Sequence, residues 1–200
     1  MADFVHLHNH SEYSLLDGLS RVRPMIERVK ELGMDALAIT DHGALYGAIT
    51  FYKTCKELGI KPIIGCEIYI APGSRHEKTV EDKDYNHLIL LAKDVTGYKN
   101  LMKIVSISHL EGFYYKPRTD LALLEKYSQG LICLSSCLNG FVSDPLLAGK
   151  EREASQRLEQ VAEIYPNNFY LELQRHPKIE RQELLNGKLI SLSEKYGIPI

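Results

Sequence analysis

Short runs of apolar residues alternate along the chain with stretches whose apolar positions recur at helical spacing, the pattern of strands joined by crossover helices. Residues 5–8 read as a first strand. Met25, Ile26, Val29 and Leu32 then share one face of a helix over 24–32, which Gly33 stops. Residues 36–40 form a buried strand, followed by a helix across 46–58 that ends at Gly59. Residues 62–70 are a third strand, and the charged, aperiodic stretch 72–84 is a surface loop. Residues 87–92 make a fourth strand, and Thr96 is the expected cap of a helix running toward Leu110. A fifth strand at 131–135, a charged helix at 150–164, a sixth strand at 169–173 and a helix at 181–196 follow, and residues 197–200 read as the entry to a seventh strand. This order predicts an α/β fold in one domain: a (β/α)7 barrel cut short before its last strand, without linker, low-complexity tract or internal repeat.

With 200 residues and 44% hydrophobic composition, the chain is long enough to bury one substantial core. A net charge of -2 and a pI near 6.4 lack the basic footprint of general nucleic-acid binding, so any DNA contact is local or made elsewhere. No apolar run approaches the roughly 20 residues that span a bilayer, and the opening Met1-Ala2-Asp3-Phe4 is not built like a signal peptide. A cytoplasmic protein with no membrane partner is expected. Cys55, Cys66, Cys133 and Cys137 contain no C-x-x-C pair, so neither a disulfide framework nor a zinc ribbon is indicated.

In barrels of this kind functional side chains gather at the C-terminal ends of the strands. There the sequence offers His6-Leu7-His8, whose alternation sets both imidazoles on one face, and then Asp41-His42, Cys66-Glu67 and Ser136-Cys137, with Asp17 in a loop. Imidazole, carboxylate and thiolate together suit zinc first, with manganese or iron where carboxylates dominate. Ions about 3.5 to 4 Å apart would clamp a phosphate and lower the pKa of a bound water, which is the chemistry of phosphate-ester hydrolysis. Each residue also has a plainer reading. A lone histidine is usually exposed or hydrogen-bonded, Cys133 and Cys137 suit a core, and Asp41 suits an orienter of an imidazole. His87 begins its strand rather than ending it. His76, His109 and His176 read as structural or exposed, and His10 as a residue that caps the following loop.

The run His6-Leu7-His8-Asn9-His10-Ser11-Glu12-Tyr13-Ser14-Leu15-Leu16-Asp17-Gly18 closely resembles the opening of the PHP (polymerase and histidinol phosphatase) domain in bacterial DNA polymerase III alpha subunits. Further blocks resemble that family in order: 37–43, 59–67, 87–92, 96–101, 111–118 and 130–138. The resemblance implies a distorted barrel holding two to three divalent ions, with His6, His8, Asp17, His42, Glu67, His87 and Cys137 as ligands. It also implies an aspartate and a histidine just beyond Ile200, where the domain would continue as the N-terminal part of a much longer polymerase. The implied activity is metal-dependent 3′-5′ exonuclease proofreading on a DNA 3′ end. The implied partners are the rest of the polymerase and replisome subunits such as the sliding clamp and a separate proofreading exonuclease. Two other readings stand beside it: a metal-stapled structural platform, and a free-standing phosphatase resembling histidinol phosphatase. Lys116 and Arg118 offer contacts to a phosphate backbone or to the rest of the polymerase, with a plain surface role as the alternative.

Overall fold

The computed structural model describes residues 4–15 and 17–200, apart from the side chain of Glu81; Met1 to Asp3 and Leu16 of the first motif lie outside the described residues. The strands are β1 (Ala36–Ile39), β2 (Lys61–Ile70), β3 (Asn86–Ala92), β4 (Phe113–Tyr114), β5 (Lys116–Thr119), β6 (Leu131–Leu134) and β7 (Phe169–Tyr170). They pair in the order β4-β5-β2-β3-β6-β7, with β1 also on β2. The helices are α1 (Val22–Glu31), α2 (Ala48–Leu58), α3 (Val95–Leu110), α4 (Leu121–Lys126), α5 (Ser143–Leu147), α6 (Glu151–Ile164) and α7 (Glu180–Tyr196).

Side-chain parity along the strands divides the interior. Cys66, Ile68 and Ile70 of β2, Leu88 and Leu90 of β3 and Cys133 of β6 face the helices, packing with Leu101, Ile104, Leu158 and Leu189. Leu37 and Ile39 of β1 pack likewise on Ile26 and Phe51 of α1 and α2. Residues of the opposite parity, Ala38, Ile89, Leu91 and Leu134, form an inner cluster with Ile63, Ile132 and Tyr170 against it. Strands buried on both faces explain the near-continuous apolar runs in the sequence. Each fully buried aliphatic side chain contributes about 1.5 to 3 kcal/mol of transfer free energy. All four cysteines are free.

Several elements differ from the sequence reading. The sheet is mixed, because β3 runs antiparallel to both β2 and β6. Parallel strands need a long crossover. Between β2 and β3 the loop after Ile70 carries one 3-10 turn at Val80–Lys83 and no crossover helix, and the chain returns in the opposite direction. No strand is assigned at 5–8, and α3 is capped by Asp94 rather than Thr96: its carboxylate accepts from Gly97 N at 2.8 Å. The hairpin β4–β5 and the short helices α4 and α5 were not foreseen. Residues 197–200 carry no assigned strand, although Leu171 N donates to Pro199 O at 2.8 Å. Arg118 is fully buried, and its guanidinium donates to the carbonyls of Gly112, Glu77 and Asp82, which pins the 72–84 loop and withdraws this cation from any surface role. Among the described residues no helix is long and apolar enough to cross a membrane.

The junction at the start of α3 yields a stability prediction. A Cβ at Gly97 would stand 1.8 Å from Gly130 O, so helix and β6 approach backbone to backbone. Urea denaturation is expected to find Asp94→Ala less stable by about 1 kcal/mol through loss of the cap. Gly97→Ala is expected to cost more than that, because backbone must move; equal stability of Gly97→Ala and wild type would contradict the close approach.

Candidate metal centre

Strand register brings the donors together. β1 and β2 pair with Ile39 opposite Ile64, and the same register continues past β1 to set His42 opposite Glu67, where Gly43 N donates to Glu67 O at 2.8 Å. The β2–β3 pairing sets Tyr69 opposite His87. Because β3 is antiparallel, its first residues stand at the end where β1, β6 and β7 finish. That direction is why a histidine at the start of a strand reaches the site. After β6 the chain turns at Ser136, a non-glycine residue at φ 66, and brings Cys137 in beside it. Inner parity is kept throughout: Ala38 leads to His42, Ile63 to Glu67, Ile89 back to His87, Leu134 to Ser136 and Tyr170 to Glu172.

The N-terminal segment lies along β1, with Ala38 N donating to His6 O at 3.0 Å and Thr40 N to Asn9 O at 2.8 Å. The segment thus advances three residues, His6 to Asn9, while β1 advances two, Ala38 to Thr40. One extra residue of this kind is a bulge, and it breaks the alternation on which a His6–His8 pair would rest. His8 and His10 face the cluster, with ring centroids 5.1 Å apart. His6 is exposed, its ring edge-on to Phe4.

Glu67, only 1% exposed, is the hub. Its Oε2 lies 2.7 Å from His8 Nε2, 3.0 Å from His10 Nε2 and 3.8 Å from His42 Nδ1. Its Oε1 pairs with His87 Nδ1, accepts from Ser136 Oγ at 3.3 Å, and has Cys137 Sγ at 3.9 Å. Cys137 Sγ is also 3.7 Å from His87 Nδ1. Asp17, half-exposed at the mouth, pairs through Oδ2 with His42 Nε2 at 2.6 Å. Glu172 Oε1 lies 2.7 Å from His8 Nδ1. The cluster opens into a cavity of about 1310 Å³ whose deeper wall is the apolar inner face, including Ile63, Leu91 and Leu134.

Charge follows from this packing. Burial disfavours a charged His8 ring, but hydrogen bonds to Glu172 and Glu67 outweigh it and push the pKa up to about 10. For His87, burial is likewise overcome, by Cys137 and Glu67, and the pKa rises to about 9. Burial would raise Glu67, yet hydrogen bonds from His10, His8 and His87 hold it well below the usual carboxylate range. His42 is lowered, chiefly by burial, with Glu67 opposing and His10 adding to the fall.

Of the residues expected from sequence, His8, Asp17, His42, Glu67, His87 and Cys137 are brought together, whereas His6 lines the cavity exposed and outside both donor groups. Asp41 is buried, but its carboxylate accepts from Ser11 N at 2.6 Å, Ser11 Oγ at 2.8 Å and Ser14 Oγ at 3.3 Å. Ser14 Oγ in turn accepts from His42 N at 2.9 Å. Asp41 thus orders the loop that carries Asp17 and reaches His42 through its backbone, with no imidazole bonded to its carboxylate among the described residues. His109 touches Gly43 O at 2.8 Å and His76 is exposed. Lys116 sits over the Tyr69 ring, which also meets the rings of His42, Tyr85 and His87. Two members were missed in sequence, His10 and Glu172. Inner parity from Tyr170 would have found Glu172, and alternation from His8 would have found His10; the bulge bears on His6.

These donors fit divalent metal. His8, His10 and Glu67 form one group, and His42, Glu67 and His87 another, in each of which the donor atoms lie within 4.8 Å of one another. Metal–nitrogen and metal–oxygen bonds of about 2.0 to 2.2 Å set donors on one ion about 3 to 3.5 Å apart, close to the spacings around Glu67. Among the described residues His10 Nδ1, His42 Nδ1 and His87 Nε2 are buried without hydrogen-bond partners, orphaned polar atoms of the kind that a bound ion would satisfy. Sharing Glu67 between both groups is what a polynuclear site requires.

Comparison with known proteins agrees with this picture. The sequence profile of the PHP domain family matches residues 6–176. A DNA polymerase III subunit alpha of Borreliella burgdorferi is 49% identical over 98% of the chain, and that of Treponema pallidum is 46% identical over 98%. The chain spans 17% of the length of either relative. A solved protein of Bifidobacterium adolescentis, named for an inferred metal-dependent phosphoesterase activity, superposes with a TM-score of 0.60 over 98% of this chain and 85% of its own, at 12% identity, and so shares the fold. Strand order, inner parity and donor cluster all sit within the matched region, and the chain belongs to the PHP domain family.

Proposed function

We propose that this chain is the N-terminal PHP domain of a longer replicative DNA polymerase III alpha subunit, continuing past residue 200, and that its metal centre hydrolyses phosphodiesters as a 3′-5′ exonuclease that proofreads the DNA 3′ end. The observation that carries the reading is Glu67: one buried carboxylate shared by two donor groups. His8 and His10 on one side, and His42 and His87 on the other, are the ligands we assign, with Asp17 and Cys137 beside them; two to three ions, zinc, manganese or iron, are the complement. When bound, divalent ions supply Lewis-acid clamping of a phosphate and a more acidic water. Glu67 fixes the distance between the two donor groups. Asp17, half-exposed, holds His42 by Nε2. The apolar inner wall below excludes bulk water from one side of the site.

The rest of the polymerase chain is the immediate partner, and the sliding clamp and a separate exonuclease remain partners of the whole protein in this reading. A metal-stapled structural platform is the second reading. Structural zinc sites are closed. Here Asp17 is 49% exposed and His10 24% exposed beside an open cavity, which favours turnover.

Manganese- or zinc-dependent release of nucleotides from the 3′ end of single-stranded DNA tests this. His10→Ala is expected to lower the rate by at least about 100-fold through weaker metal binding, and His6→Ala to stay within about 3-fold of wild type. Metal uptake without nuclease activity in the intact protein would leave the platform. Equal losses in both variants would contradict the assignment of His10 over His6.

A pH dependence follows with a definite sign. The rings of His8 and His87 carry protons up to about 10 and about 9 in the metal-free fold, against 6.5 for an ordinary imidazole. Their ion pairs with Glu67 therefore stabilise the metal-free protein fully below pH 6.5 and are lost as pH rises through about 9 to 10. A metal must displace those protons, so its affinity is expected to rise over the same window, with protons released on binding. Calorimetric titration in buffers of different ionisation heat measures both; an affinity that is flat from pH 7 to 9 would contradict the assignment of His8 and His87 as ligands.

A further inference from the structure

We propose that Glu172 is a positioning residue of the metal centre, whose carboxylate fixes the His8 ring so that Nε2 faces Glu67. The proposal rests on the metal-site reading above and deepens it. Glu172 Oε1 lies 2.7 Å from His8 Nδ1, and Glu67 Oε2 lies 2.7 Å from His8 Nε2. The two ring nitrogens are on opposite edges, so the carboxylates grip the imidazole from two sides. Glu172 stands on the edge of the ring turned away from Glu67 and outside both three-residue donor groups. A carboxylate that accepts the Nδ1 proton leaves Nε2 as the donor to a metal and stops rotation of the ring.

One oxygen of Glu172, Oε1, is held by neighbours, while Oε2 is buried without a hydrogen-bond partner among the described residues. The Glu172 backbone N–H donates to Ser135 Oγ at 2.8 Å, and its Oε1 accepts from the Gln174 amide at 2.7 Å. Asn186 of α7 donates to Gln174 O at 2.8 Å, which ties this stretch to the outer helix. Ser135 and Ser136 are adjacent at the end of β6: Ser135 Oγ accepts from the backbone N–H of Glu172, and Ser136 Oγ donates to the Glu67 carboxylate. One stretch of chain thus anchors the backbone that carries one flanking carboxylate and the side chain of the other.

The test is metal affinity on the intact protein, read by competition between the protein and a chromophoric chelator for manganese or zinc, with bound ions counted by elemental analysis. Glu172→Gln, nearly isosteric, is expected to bind about 10- to 100-fold more weakly while taking up the same number of ions at saturation. Circular dichroism melting of the metal-free variants shows that they fold. Should Glu172→Gln fail to fold, Glu172→Asp, which withdraws the carboxylate by one methylene and keeps its charge, is expected to weaken binding in the same direction. Unchanged affinity in a folded variant overturns the proposal and leaves the metal-site reading standing. Loss of a whole ion at saturation also overturns it, since Glu172 would then be a ligand. A wild-type protein that takes up no divalent ion overturns both.

Discussion

The burial of the Glu67 carboxylate is the constraint on which the rest of this structure depends. Removing a carboxylate from water costs several kcal/mol unless ion pairs and hydrogen bonds compensate it. At 1% exposure, Glu67 has His8, His10 and His87 as paired neighbours and Ser136 as a donor. Those partners arrive from three different stretches: the N-terminal segment, the start of β3 and the turn after β6. None of them is adjacent to Glu67 in sequence, so the compensation exists only in the folded state. A structure that satisfies Glu67 has already brought a set of nitrogen and oxygen donors to one point, and that set is what a divalent ion needs.

The mixed sheet serves the same end. With β3 reversed, a residue that opens a strand meets residues that close others, and His87 takes its place opposite Tyr69 and next to Glu67. Below this polar ring the inner face is apolar, with Ala38, Ile89, Leu91 and Leu134 packed across it. The polar and apolar layers lie on the same face of the same strands, separated only by position along them. Such layering gives a low-dielectric floor beneath the donors and strengthens electrostatic interactions within the site.

Much of this was legible in the sequence. Helices α1, α2, α3, α6 and α7 follow apolar spacing, with the expected glycine stop at Gly59 in the left-handed conformation; Gly197, read as the entry to a strand, caps α7 in the same way. Strands β1, β2, β3 and β6 follow their apolar runs. The hairpin β4–β5 was hidden because its strands are two and four residues long and contain Pro117 and charged side chains. Strand direction was hidden too, since periodicity reports burial but not polarity of pairing. The choice between His6 and His10 turned on a bulge, and a bulge leaves no mark on a run of histidines spaced by two. Asp41 shows the converse: its position beside His42 suggested an imidazole partner, whereas the serines at 11 and 14 take its oxygens.

Anomalous scattering from crystals of the protein loaded with manganese tests the central claim most directly. A Glu67 shared between two donor groups predicts at least two peaks within about 2.0 to 2.3 Å of its oxygens. One would be shared with His8 and His10, the other with His42 or His87. Peaks that leave Glu67 uncoordinated, or a single ion bound without it, would contradict the account.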